Sequence, residues 1–307
     1  MSRKELSFLL TEYLHEFEKE YINTVNTDEK EAIHELRVSI KRLRALLNLF
    51  EESRICTKKE LKSFKRVKYI FGISGNLREH QIKSGLLEVY KEKLNQNFEN
   101  FRKSILRQSG QTKEEYWSEM KNISFIEIFK SVEYLKGKIA KKNNYTINKN
   151  IKKFVDSRVE QSYNWLGTVN FRDYLHEIRK YLKHIRFTTE QLEVTSSKLF
   201  KGKFKFKNIK KAEDMLGEWH DLDLFLIDVQ EYKARKTGYT VGVYDNLIEV
   251  IEADLLKMEI EMRPVLLELF EAYLKLIGKK TKINKAWVFP KTENHEELIK
   301  KENGSIQ

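Results

Sequence analysis

Apolar residues recur at three- and four-residue spacing along most of the chain, a period that predicts helices rather than strands. From about residue 4 to 24, Leu6, Leu9, Leu10, Tyr13, Phe17 and Tyr21 share one helical face. Asn26, Thr27 and Asp28 interrupt it, and Asp28 with Glu31 resembles a capping box opening a second helix that runs to about Ser53. A third starts near Lys58, carries Leu61, Phe64, Tyr69 and Ile70, and is expected to stop between Gly72 and Gly75. Another spans about Arg78 to Lys93, and weaker helical stretches follow at roughly 97–107 and 113–140.

The segment Lys141 to Asn144 reads as a join between two halves. Beyond it, Ile147, Ile151, Phe154, Val155 and Val159 mark a helix at about 147–166. Asn170 is placed to cap the next helix, with Asp173 in its first turn. One further helix is expected to end at Gly217, and another carries Leu222, Leu224, Phe225, Leu226 and Val229 as far as Gly238 and Gly242. A long helix at about 243–262 meets Pro264 and continues through Leu266, Leu267, Leu269, Phe270 and Leu274. The tail, 279–307, is basic and then polar, and is expected to be loose after Pro290.

Two of these helices carry organised positive charge. At about 100° per residue, His34, Arg37, Lys41 and Arg44 fall within roughly 80° of one another. Ile33, Leu36, Ile40, Leu43 and Leu47 occupy the opposite side. His176, Arg179, Lys183 and Arg186 repeat the stripe, backed by Leu175, Ile178, Leu182 and Ile185. A shift of 142 residues superimposes the two runs. The same shift lays Gly75 on Gly217, Phe64 on Phe206, Lys65 on Lys207, Lys68 on Lys210 and Tyr21 on Tyr163. One ungapped shift linking separated elements is the mark of a duplicated helical unit, expected at about 4–140 and 145–278. The expected architecture is all-α, a helical bundle of two pseudo-symmetric repeats.

Composition narrows the partner. The 307 residues include 58 Lys and Arg against 46 Asp and Glu, a net charge of +12 that suits a polyanion. Cys56 is the only cysteine, so no intrachain disulfide can form, as suits a reducing compartment. Glu12, Glu16, Glu18 and Glu20 come too early for a signal peptide. No apolar run approaches the ~18 residues of a membrane span, so a cytoplasmic protein is expected.

With the His-x-x-Arg-x-x-x-Lys-x-x-Arg helix in duplicate, and a glycine-led turn after each (Gly75 to Gln81, Gly217 to Asp223), the chain resembles the CHAD (conserved histidine α-helical domain) family over roughly 5–275. The resemblance implies two antiparallel four-helix units around a central basic channel that binds inorganic polyphosphate, and an association with polyphosphate granules. Carried over by position, the binding pattern falls on His34, Arg37, Lys41, Arg42 and Arg44, and on His176, Arg179, Lys180, Lys183 and Arg186. Lys65, Lys68, Lys207 and Lys210 look like further channel-lining partners. The family's Arg-Asp-x-Asp turn becomes Arg78-Glu79-His80-Gln81 in the first half, and the second keeps Asp221 and Asp223 but has His220 for Arg. Some relatives carry a triphosphate-processing β-tunnel. Here Glu259, Glu261 and Arg263 only loosely resemble its strand, in a helix-forming context.

A solvated helix face is the plainer explanation of a basic stripe. Against it, Arg37, Lys41 and Arg44 have no acid inside the stripe, so no i,i+4 pair within it quiets their repulsion, and Glu35 and Glu177 point elsewhere. His34 and His176 stand among cations rather than carboxylates or Cys, which suits phosphate donors better than metal ligands. The lysine run from Lys198 to Lys203 reads as a basic loop leading into a helix. Asp221 and Asp223 are expected to cap the helix after Gly217 and to pair with basic neighbours, with no metal. No Walker-type loop or nucleophile–base motif stands out, so noncatalytic binding with no cofactor is expected. Two alternatives remain. A DNA- or RNA-binding module would call for exposed aromatics beside the stripe, whereas most here sit at core spacing. A phosphate-processing enzyme is left open by seven histidines.

Overall fold

The computed structural model describes residues 2–27, 30–120, 123–193, 204–235 and 241–281. The helices are α1 (Arg3–Thr27), α2 (Lys30–Glu52), α3 (Lys65–Leu94), α4 (Glu99–Met120), α5 (Phe125–Ala140), α6 (Asn144–Leu166), α7 (Leu175–Glu193), α8 (Phe206–Ala234) and α9 (Val241–Leu276). Short 3₁₀ turns at Lys62–Phe64 and Phe171–Tyr174 lead into α3 and α7, and no strand occurs among the described residues. Asp28, Lys198, Lys201, Lys203, Gly238 and Pro290 lie outside the described residues, as does most of the tail.

The helices α6, α7, α8 and α9 pack in a ring, each against the next and α9 back against α6. In the first half α1 packs on α2, α2 on α3 and α3 on α4, while α5 lies against α1. The halves meet where α2 packs on α7 and α3 on α8. Leu36, Ile40, Leu43, Leu175, Ile178, Leu182 and Ile185 are all fully buried in one connected apolar cluster drawn from both halves. Each such side chain is worth about 1.5–3 kcal/mol on leaving water. Shifted by 142 residues, α1, α2 and α3 overlie α6, α7 and α8, and α4 overlies the first part of α9.

Three boundaries differ from the sequence expectation. First, α3 runs unbroken through Gly72 and Gly75, and α8 through Gly217. A helical glycine costs only about 1 kcal/mol, and burial of Val67, Ile70, Ile73 and Leu77 on α3, and of Leu216, Trp219 and Leu222 on α8, outweighs it. Second, the stretch expected at 113–140 is split between α4 and α5. The Tyr21 hydroxyl donates to the Met120 carbonyl, one of the acceptors left over at the end of α4. Phe125 then packs on Phe17 and Tyr21, with ring centroids 5.5 and 5.1 Å apart, and turns α5 onto α1. Third, Asn170 makes no side-chain cap and instead flanks the 3₁₀ turn, where its carbonyl accepts from the Asp173 N–H at 3.2 Å. At the join between halves, Asn143 does cap, accepting from the Tyr145 N–H at 2.8 Å. Helix α9 continues through Pro264, as expected. Beside it the Arg263 guanidinium donates to the carbonyls of Leu166 and Thr168, which closes the end of α6.

Candidate functional site

The basic stripes of α2 and α7 come together because the two helices pack on each other. Lys41 lies within electrostatic reach of Arg37 on its own helix, of Arg179, Lys183 and Arg186 on α7, and of Glu213 on α8. Burial, then the cation Arg37, lowers the Lys41 ammonium to about 8, against the pull of Glu213 and with Arg186 and Arg179 adding to the fall. Lys183 is pushed down to about 7 by burial, then by Arg179 and Lys41, with Glu213 and Asp221 opposing. Burial also lowers Arg179, which faces Asp221 and Glu213. Desolvated like charges this close favour the neutral amine, so the cluster is electrostatically strained as it stands.

The Arg37 side chain is held by α3. Its Nη1 donates to the Phe71 carbonyl and to Ser74 Oγ, each at 3.0 Å. The guanidinium carbon of Arg37 lies 4.7 Å from the Phe71 ring centroid, and that of Arg44 lies 4.3 Å from the same centroid. An aromatic face attracts both cations without cancelling either charge. Burial lowers Arg37 to about 10, with Arg78 and Arg44 contributing and Tyr116 opposing. A Cβ on Gly75 would come within 3.3 Å of Arg37 Nη1. Gly75 is therefore not a helix stop: it lets the guanidinium lie against the α3 backbone.

In the second half Glu213 pairs with Arg186, whose Nη1 also lies 3.8 Å from Glu190. His176 Nε2 is 3.1 Å from Asp223 Oδ2. Arg172 lies 3.8 Å from Asp223 and 3.2 Å from Glu259, which accepts from Trp219 Nε1 at 2.9 Å. The His220 ring stands edge-on to His176 with centroids 4.8 Å apart, and burial, then Arg179, pushes it down to about 3. Because α8 is continuous through Gly217, Asp221 and Asp223 cap no helix start. The expected pairing with basic neighbours is what the structure has. Among the described residues no group of three or more His, Cys, Asp or Glu side chains is placed to hold a metal ion.

The remaining expected residues are less central. Arg42 pairs with Glu16 of α1 and lies 3.9 Å from Glu190. Lys180 is exposed and pairs with Glu177 at 2.5 Å. His34 is exposed on the first turns of α2. Lys65, Lys68, Lys207 and Lys210 are exposed at the starts of α3 and α8. Helix geometry puts Lys68 about 60° and Lys65 about 120° round α3 from Phe71. The sequence reading missed Phe71, Ser74 and Glu213. Their signal was the spacing of Phe71, Ser74, Gly75 and Arg78 on one face of α3, together with the shift of 142, which lays Phe71 on Glu213.

A family model described as CHAD domain matches residues 9–227. The chain belongs to the CHAD domain family. It is similar to the crystal structure of the CHAD domain from the plant Ricinus communis, at 14% identity and a TM-score of 0.56, covering 89% of this chain and 91% of that one. It is also similar to PptA from Streptomyces chartreusis, at 11% identity and a TM-score of 0.64, covering 88% of this chain and 99% of that one. At these identities the likeness shows the fold, which is all-α as the sequence predicts. No curated protein matches the sequence. In this CHAD chain no described helix is long and apolar enough to cross a membrane.

Proposed function

We propose that this CHAD chain binds inorganic polyphosphate without turning it over, in a basic channel lined by the facing His/Arg/Lys stripes of α2 and α7. One observation carries the reading: Lys41 and Lys183 are desolvated and crowded by each other, Arg37 and Arg179. Such a cluster is costly when empty, and a bound polyanion relieves the cost and stabilises the fold. Polyphosphate offers a charge on every phosphate and no bases. Arginine forks and lysine point charges on rigid helices suit it, and membership of the family is consistent with it. Arg37, Lys41 and Arg44 would serve one flank and His176, Arg179, Lys183 and Arg186 the other, with His34, Arg42, Lys180 and the four lysines of α3 and α8 towards the entrances. On this reading the two halves make one domain about a pseudo-twofold axis. The protein works in the cytoplasm in company with polyphosphate granules.

Competition tests the ligand. Long-chain polyphosphate should displace RNA at equal charge concentration in moderate salt. If RNA wins, the site is a nucleic-acid module. Incubation with polyphosphate and Mg²⁺, with or without ATP or ADP, should change neither chain length nor free phosphate. Turnover that follows the purified protein and disappears in His34→Ala would make it a phosphate-processing enzyme.

A further inference from the structure

The two halves of the site are not equivalent, and the difference lies at one position of the repeat. Where α3 presents Phe71 to the cations of α2, the shift of 142 residues puts Glu213 before the cations of α7. The Phe71 ring lies under Arg37 and Arg44 and leaves both charges uncancelled. Glu213 instead pairs with Arg186 and draws on Lys41, Lys183 and Arg179 as well. Its side chain is 13% exposed and that of Arg186 is 17%, so water screens the pair only weakly. Asp221 adds a second carboxylate facing Arg179 and Lys183. Against Arg37 and Arg44 the nearby charges are cationic, Arg78 and each other.

A carboxylate forked against a guanidinium occupies the directions a phosphate oxygen would use. We infer that Glu213 is an internal counter-anion of this site: it holds the second-half cations while the site is empty, phosphate must displace it, and the Arg37–Arg44 end is thereby the stronger phosphate seat. The inference rests on the polyphosphate reading for its ligand, and on the Phe71/Glu213 contrast for everything else. The displaced carboxylate stays in the site as a repulsive neighbour of the polymer. It therefore lowers affinity and shortens the run of phosphates held at any one time.

The test is Glu213→Gln, which keeps the shape and removes the charge. Calorimetry with a defined-length polyphosphate should show about tenfold tighter binding, the size of one charge-assisted hydrogen bond. The dependence of log K on log salt should steepen by about one phosphate contact, roughly 0.7–0.9 in slope. Glu213→Asp should behave as the wild type. Phe71→Glu, which builds the mirror-image counter-anion, should weaken binding by a similar factor, and Phe71→Leu should weaken it less. Equal or weaker binding by Glu213→Gln with an unchanged salt slope would make the ion pair merely structural. Were Glu213→Gln to fail to fold, Phe71→Glu alone decides: binding no weaker than that of Phe71→Leu overturns the inference. Failure of the polyphosphate reading looks different. The wild type would then ignore polyphosphate and bind RNA, and Glu213→Gln would still strengthen RNA binding if the counter-anion is real.

Discussion

Arg37 donates to the backbone carbonyl of Phe71 at 3.0 Å while its guanidinium lies over the ring of the same residue, 4.7 Å from the centroid. One residue of α3 thus fixes both the position and the orientation of a half-buried cation on α2. The fit depends on Gly75, one turn along, having no side chain.

That dependence separates two glycines the repeat makes equivalent. Gly75→Ala adds helix propensity, but its Cβ presses on Arg37 Nη1 at 3.3 Å. Gly217→Ala adds the same propensity into open space. Gly217→Ala should raise stability by about 0.5–1 kcal/mol and leave polyphosphate affinity alone. Gly75→Ala should gain less stability and lose affinity severalfold. Denaturant unfolding with parallel titrations checks both.

Lys183 and Lys41 predict how stability and binding follow pH. Folding holds them at about 7 and about 8, below the ordinary lysine value of about 10.4. Between those limits the unfolded chain binds more protons, so stability rises with pH. The destabilisation is fully present below about pH 7 and fades as pH climbs towards 10. Lys183→Met should flatten this rise in a series of melting curves. A bound polyanion favours the charged amines, so binding takes up protons at pH 8 and weakens as pH rises. Calorimetry at pH 8 in two buffers of different ionisation enthalpy measures the uptake.

Charge reversal tests the shared site. Arg37→Glu and Arg179→Glu should each weaken polyphosphate binding strongly while helicity is kept, because neither residue belongs to the buried apolar cluster. Arg37→Glu should cost more, since no carboxylate acts on Arg37 as Asp221 and Glu213 act on Arg179. Two independent sites per chain, one surviving Arg37→Glu, would rule out a single channel.

Lys83 joins the halves away from the site. It is 7% exposed, lies 2.7 Å from Glu79 and pairs with Asp228 across the α3–α8 contact. The two carboxylates hold its ammonium above the ordinary value despite burial. Lys83→Met should destabilise by about 3 kcal/mol, because Asp228 is left without its cation. Lys83→Met combined with Asp228→Leu should recover much of that loss. Chemical denaturation of the two variants gives the comparison.

The sequence by itself determined the helical class, the amphipathic helices α2 and α7, their basic stripes and the shift of 142 that relates them. Those features are local: a period of 3.6 residues decides which side chains share a face, and a shared face needs no knowledge of its partner. Only the tertiary structure decided that α3 and α8 run through their glycines, because the apolar burial that outweighs a glycine's cost comes from other helices. It also decided that Asp221 and Asp223 cap nothing, and that Arg37 meets an aromatic ring where Arg186 meets a carboxylate. Phe71 lies 34 residues from Arg37, and Glu213 lies 27 from Arg186. Which cation is cancelled and which is left for a ligand is set by distances across α2, α3, α7 and α8. Coulomb energy depends on those distances and on the water excluded between the helices, and a one-dimensional pattern contains neither.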